Sequence, residues 1–219
     1  MKKKDARSLP SKVFIFGKLI YYRGISMAAS GRLPAPTDGQ KPSRISLIKD
    51  EYPGFTHNLE SIGYTAGLDA RKEFESFVER HGDRFSNLAF YEISESVSAV
   101  ARETRTTATV LQVLNITDRM LGNRFDENET QSTIADLGNL ARKLGRYPID
   151  PAHLKAAASV FDDVFGVLRM AIRERERQPI PNIAREFLLR ASNTDGDVQA
   201  IGELTQFYTK YFERKGMRT

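Results

Sequence analysis

Helical periodicity runs through almost the whole chain from Pro42 onward, and this feature most limits what the chain can fold into. Apolar residues recur at intervals of three and four, which places them on one face of an α-helix. One clear stripe is Val110, Val113, Leu114, Thr117 and Leu121. No segment alternates apolar and polar residues over a useful length, as a half-buried strand does. The sequence therefore predicts an all-α domain of six to eight helices.

The other helical segments follow one another along the chain. They cover residues 45–52, 69–80, 85–100, 134–144, 154–172 and 198–212, with a short additional helix over 183–193. A polar loop is predicted from Gly122 through Thr130, because polar residues replace the apolar stripe there. The alternating charges of Arg173 to Arg177 predict a solvated helix end whose side chains pair with one another.

The segment from Leu140 to Leu154 ends one amphipathic helix and opens the next. Gly145 is expected to stop the first helix in a left-handed conformation, and Pro148 cannot continue a helix. Asp150 is suited to cap the second helix, with Pro151 at its first position, where a missing N–H costs nothing. Two helices are therefore expected to meet at a fixed corner.

The first 43 residues differ from the rest. Residues 1–43 are expected to form a partly disordered N-terminal extension and linker, and residues 44–219 the helical domain. The apolar run from Val13 to Tyr22 contains Gly17 and Lys18 and is shorter than the roughly 20 residues that a membrane span needs. No membrane span is predicted.

The amino-acid composition excludes several kinds of catalytic and metal-binding site. The chain of 219 residues has no cysteine, which excludes disulfides, thiol nucleophiles and thiolate metal sites, and gives no support to secretion. Three histidines leave few positions for imidazole chemistry. No phosphate loop, zinc-protease motif, serine elbow or dinucleotide fingerprint occurs. We therefore expect a cytoplasmic protein that is not an enzyme and holds no metal, with Asp162–Asp163 and Asp126–Glu127 as solvated carboxylates.

The order of these segments resembles the globins, in particular the divergent, nematode-like invertebrate globins. The matching segments are 47–53 (with Tyr52 before Pro53), 74–90, 110–114, 140–154 and 200–208. By this resemblance, 74–90 corresponds to the second helix and the corner that holds the haem-stacking Phe, 110–114 to the distal helix, and 140–154 to the proximal helix. The resemblance covers residues 44 to 216, and it implies a globin-like fold.

Carried over by position, the resemblance places Leu144 where globins have the proximal histidine and Thr106 at the distal position. The pocket would also include Val110, Leu140, Phe90 and Phe161. An aliphatic side chain has no lone pair for iron. An empty pocket of several hundred Å³ would cost on the order of 10 kcal/mol, comparable to the stability of a domain. We therefore expect no cofactor, and a pocket filled by side chains or by another apolar ligand.

The resemblance implies a haem-free globin-fold protein that acts as a regulatory, sensory or interaction module. Its expected partner is another protein or a second copy of the chain, with the 177–197 segment as one possible dimer surface. One alternative is a conventional haem globin for oxygen binding, sensing or redox chemistry, if the register is different. Another is a helical DNA- or RNA-binding protein, which the net charge of +5 permits. In that case Val100 to Leu111 would form an atypical helix-turn-helix.

Overall fold

The structure is a computed structural model that describes residues 42–145, 151–177 and 182–216. Within these ranges the chain forms nine α-helices and no β-strand, which confirms the all-α prediction. The helices are α1 (Arg44–Glu51), α2 (Gly54–Ala66), α3 (Leu68–Arg80), α4 (Asn87–Thr104), α5 (Thr107–Gly122), α6 (Glu127–Leu144), α7 (Pro151–Arg177), α8 (Ile183–Ser192) and α9 (Val198–Arg214). The predicted number of six to eight helices was therefore too low.

Helix α2 accounts for the difference. It follows Pro53 directly and buries Phe55, Leu59, Ile62 and Ala66, which are spaced four, three and four residues apart on one face. Its apolar stripe is hidden in a sequence of weak helix formers, including glycine, threonine and asparagine. Packing against α3 and α4 stabilises the helix despite this composition.

Helix α6 begins earlier than predicted. Asp126 caps it by accepting a hydrogen bond from the Glu129 N–H at 2.7 Å, and the Glu129 carboxylate accepts one from the Asp126 N–H at 3.3 Å. This reciprocal capping box starts the helix at Glu127. The predicted loop is confirmed for residues 123–126 but is wrong for residues 127–130, which form the first turn of α6.

Helix α4 lies at the centre of the fold and packs against α1, α2, α5, α6 and α7. Because it is covered on several sides, it buries polar as well as apolar residues. The buried Ser96 and Thr104 hydroxyls donate to carbonyls of α4 itself, and two other serines pair with α2. Asn58 Nδ2 donates to Ser94 Oγ at 2.8 Å, and Ser98 Oγ donates to Ser61 Oγ at 3.0 Å. These hydrogen bonds give the buried serine hydroxyls of α4 the partners that buried polar groups need.

The solvated end that the alternating charges of α7 predicted is confirmed for Arg173, Glu176 and Arg177, which are exposed, but not for the two residues between Arg173 and Glu176. Glu174 is only 2% exposed, and its Oε1 accepts from Lys215 Nζ at 2.5 Å. Arg175 donates to both carboxylate oxygens of Glu129 at 2.9 Å and lies 4.9 Å from the centre of the Phe125 ring. Glu174 and Arg175 thus pair with charged residues outside α7, one on α6 and one just after the end of α9.

Some predictions fall outside the described ranges. Apart from Pro42 and Ser43, the predicted extension of residues 1–43 lies there, as do Pro148 and Asp150 of the corner. Ser43 caps α1 by accepting a hydrogen bond from the Ser46 N–H.

Among the helices that the structure describes, none is both long and apolar enough to cross a membrane.

Candidate functional site

The residues at the globin-like pocket positions are core residues. Leu144, Leu140, Val110, Phe90 and Phe161 are all fully buried and belong to a single apolar cluster. They come from α6, α5, α4 and α7, and aromatic side chains fill much of the surrounding core. Leu144 therefore packs as an ordinary core leucine, which offers iron no ligand.

The end of α6 beside Leu144 is closed by the turn between α8 and α9. Gly196, with a φ of +86°, lies so close that a Cβ built on it would be 2.7 Å from the Lys143 carbonyl oxygen. Lys143 Nζ also donates to the Ser192 carbonyl and lies 3.2 Å from Asp195 Oδ1. The backbone next to Leu144 therefore packs directly against the backbone at Gly196, and the Lys143–Asp195 ion pair stabilises this contact.

Gly145 does not take the left-handed conformation that the sequence predicted. Its φ is −71° and its ψ is 1°, which any residue can adopt. The Glu103 carboxylate lies where a side chain at residue 145 would begin, because a Cβ there would be 2.3 Å from it, so a larger residue would require the Glu103 side chain to move. Burial raises the pKa of Glu103, although Arg102 and His153 act in the opposite direction. Gly145 therefore makes room for a half-buried acid.

Thr106 is a helix cap. Its hydroxyl accepts a hydrogen bond from the Thr109 N–H at 3.2 Å and lies 2.7 Å from the Thr109 hydroxyl, at the start of α5. The preceding Arg105 has a φ of 50° and ends α4 in the left-handed region. The Thr106 hydroxyl is thus used in a tight interhelical turn.

The three histidines lie in separate places. His57 is exposed on α2, and His81 Nε2 lies 2.6 Å from Asp118 Oδ1, with its ring against Phe77. His153 is in the first turn of α7. Among the described residues, no group of three or more acidic, histidine or cysteine side chains is arranged to hold a metal ion. The histidines therefore form no common site there.

A polar groove of about 540 Å³ lies between α7 and α9. It contains the predicted carboxylate pair Asp162–Asp163, and both residues are exposed. Gln112 Nε2 donates to Asp162 Oδ1 at 3.1 Å, and its Oε1 accepts from Arg169 Nη1 at 3.1 Å. Asp162 thus belongs to a surface hydrogen-bond chain, and Asp126 and Glu127 serve the start of α6. Neither pair is arranged as a buried acid and base.

A second, more apolar groove of about 260 Å³ lies between α8 and α9. We call it the aromatic groove, and its lining residues are Ile183, Glu186, Arg190, Phe207, Tyr208 and Tyr211. Tyr208 OH donates to Glu186 Oε1 at 3.3 Å, and Arg190 Nη2 lies 2.8 Å from the same oxygen. Burial raises the pKa of Tyr208, and the nearby Glu186 carboxylate adds to this effect. The groove thus combines an aromatic floor with a charged rim.

No protein-family model, no curated protein and no solved structure matches this chain. The globin resemblance stays a prediction, and the functional conclusion rests on the arrangement of the side chains.

Phe207 is the residue of the aromatic groove that the sequence pattern did not single out. It is 60% exposed, whereas the neighbouring Tyr208 and Phe212 are buried. Phe207 lies three residues after Leu204 and four before Tyr211, so helical spacing groups it with the apolar residues of this helix. The spacing therefore gave no signal that Phe207 is exposed, because the exposure depends on which helices pack beside α9.

Proposed function

We propose that this chain is a non-catalytic helical module that acts by binding protein and holds no haem. The observation that carries the proposal is the aromatic groove, where Phe207 is 60% exposed beside Tyr211 and Ile183. Aromatic residues are enriched in protein interfaces, and a polar rim commonly surrounds the apolar centre. Single exposed apolar residues are ordinary, but an exposed ring at the edge of an aromatic groove provides a place for a partner to dock.

The filled core supports the haem-free part of the proposal. Leu144, Phe90 and Phe161 are fully buried and pack within one cluster, as residues do in a solid core. Haem binding would need an iron ligand at residue 144 and would displace side chains that stabilise the fold. The carboxylates that the sequence singled out act in caps and surface hydrogen bonds, which supports a non-catalytic role.

Titration of the purified chain with haemin, followed by absorbance, tests the haem-free part. We expect free haemin to keep its own spectrum, because Leu144 offers no ligand. A change in the haemin spectrum that saturates at one haem per chain would contradict the proposal.

Site-specific crosslinking tests the binding role. A photoreactive phenylalanine analogue at Phe207 should give a discrete protein adduct in cells, and the same analogue at Tyr64 should not. Tyr64 is a suitable control because it is aromatic, is 93% exposed and lies on α2, away from the groove's helices. No adduct from Phe207, or the same adducts from both positions, would overturn the proposed role of the groove.

A further inference from the structure

We infer that the face formed by α8 and α9 binds a second copy of this chain in a two-fold symmetric dimer. The inference rests on the proposed protein-binding role of the aromatic groove and commits that groove to one partner. Its basis is that the face carries both halves of an interface, one apolar and one charged. In a two-fold dimer the same patch meets itself, so a surface must be complementary to its own copy.

The apolar half consists of a projecting ring and an adjacent groove. Phe207 is 60% exposed at the edge of the groove, and Ile183, Tyr208 and Tyr211 line the space beside it. A two-fold operation places Phe207 of each copy opposite the groove of the other. Both rings are then buried at once, which removes the most exposed phenylalanine of the described chain from water.

The charged half is the pair formed by Glu186 and Arg190 on α8. Their side chains are 53% and 56% exposed, and they lie four residues apart on one side of the helix. When two copies of α8 run antiparallel, Glu186 of each copy faces Arg190 of the other. Leu189, which is 45% exposed, adds an apolar contact next to this pair. Within one chain these two side chains already form an ion pair at 2.8 Å, so the dimer exchanges these partners between copies, and the pair carries no net charge that would repel its own copy.

The size of the face limits the expected affinity. Helix α9 has 17 residues and is therefore about 25 Å long, and two adjacent helices present a face about 20 Å wide. Because α8 has only 10 residues and is about 15 Å long, the face measures about 400 Å² per copy, about half the standard interface size and in the range of weak, transient contacts. We therefore expect a dissociation constant in the micromolar range.

Sedimentation of the full chain over about 1 to 200 μM (a range that spans micromolar affinities) tests the inference. The wild-type chain should shift from monomer to dimer. Phe207→Ala should abolish the shift, whereas Tyr64→Ala, which removes an even more exposed ring on α2, should leave it unchanged. Thermal unfolding of both variants checks that they remain folded. A wild-type chain that stays monomeric, or a dimer that survives Phe207→Ala, overturns the inference.

Charge reversal supplies a second test that a role within one chain cannot imitate. Glu186→Arg makes both positions positive, and Arg190→Glu makes both negative. Each variant alone should dimerise about tenfold more weakly, because attraction becomes repulsion at two symmetric contacts. Mixing the two variants should restore association at wild-type strength, since opposite charges then face each other at both contacts. Failure of the mixture to associate overturns the antiparallel arrangement.

The crosslinking experiment separates the failure of this inference from the failure of the proposed function. An adduct at Phe207 with twice the mass of the chain supports the dimer. An adduct with a different protein, together with a monomeric wild-type chain, overturns the dimer and leaves the binding role standing. A monomeric chain with no adduct overturns both.

Discussion

Replacing Gly138 with alanine should destabilise this protein, although alanine is the better helix former. Gly138 lies inside α6, where alanine normally stabilises a helix by about 0.5–1 kcal/mol relative to glycine. The opposite outcome is expected because α6 crosses α4 here. A Cβ on Gly138 would lie 2.7 Å from both Cα and Cβ of Ser96 and 2.8 Å from its Oγ.

The size of the effect follows from this crossing. Carbon atoms in favourable contact are about 3.5–4.0 Å apart, so the two helices must separate by about 1 Å to accept the methyl group. Overpacking of this kind costs about 1–3 kcal/mol, and the Ser96 Cα cannot rotate away as a side chain can. Subtraction of the helix preference leaves about 0–2.5 kcal/mol, and because the obstacle includes a backbone atom we expect the free energy of unfolding to fall by about 1–2 kcal/mol. For a domain of this size, the melting temperature should fall by about 2–8 °C.

Two glycines in other helices provide matched controls. Gly166 in α7 and Gly202 in α9 have no heavy atom within 4 Å of the position that a Cβ would occupy. Alanine at either position should therefore raise the free energy of unfolding by about 0.5–1 kcal/mol. Urea denaturation of the three variants measures the difference in sign. If Gly138→Ala stabilises the chain as the controls do, α4 and α6 do not cross this closely and the reasoning is refuted.

Three further predictions concern the corner and the C-terminal end. Leu144→His should lower the free energy of unfolding by about 2–4 kcal/mol because it buries a polar ring, whereas Leu144→Met should cost less than about 1.5 kcal/mol; equal losses in urea denaturation would contradict this. Burial raises the pKa of Glu103 in the folded state, so the folded chain holds this proton more tightly than the unfolded chain. Stability should therefore fall as the pH rises from the ordinary glutamate range through the raised pKa, and Glu103→Gln should flatten that part of the curve; superimposable pH profiles would exclude this effect. Lys215→Met should destabilise the fold because it leaves the buried Glu174 carboxylate without its cation, and adding Glu174→Leu should recover most of the loss; a double-mutant cycle with no coupling would refute the pairing.

The sequence predicted the fold best where apolar periodicity and end signals agreed. Helix α3 was expected over residues 69–80 and spans Leu68–Arg80, and the short helix expected to end at Ser192–Asn193 is α8. Helix α2 was missed because weak helix formers surround its apolar stripe, so that tertiary contacts rather than propensity stabilise it.

The candidate interface was harder to predict than the fold. The sequence predicted a short helix over residues 183–193, and Phe187 within it is fully buried. The sequence could not show that Phe207 stays exposed, because a ring's exposure depends on which helices pack beside it. In the same way, Glu174 looked solvated in a run of alternating charges, and only the position of Lys215 explains its burial. Long-range neighbours decide these cases, and local spacing does not encode them.

At the corner after α6, a glycine occurs for a different structural reason from the one that the sequence pattern predicted. Gly145 was predicted to adopt a left-handed conformation, but its φ and ψ are ones that any residue can adopt. Instead, the Glu103 carboxylate lies where its Cβ would be. Gly196 is needed for a related reason, because it lies against the Lys143 carbonyl. These two approaches enclose the end of α6 that carries Leu144. An imidazole at residue 144 would therefore enter a packed core held by both contacts, and replacing the leucine alone should not create a haem site.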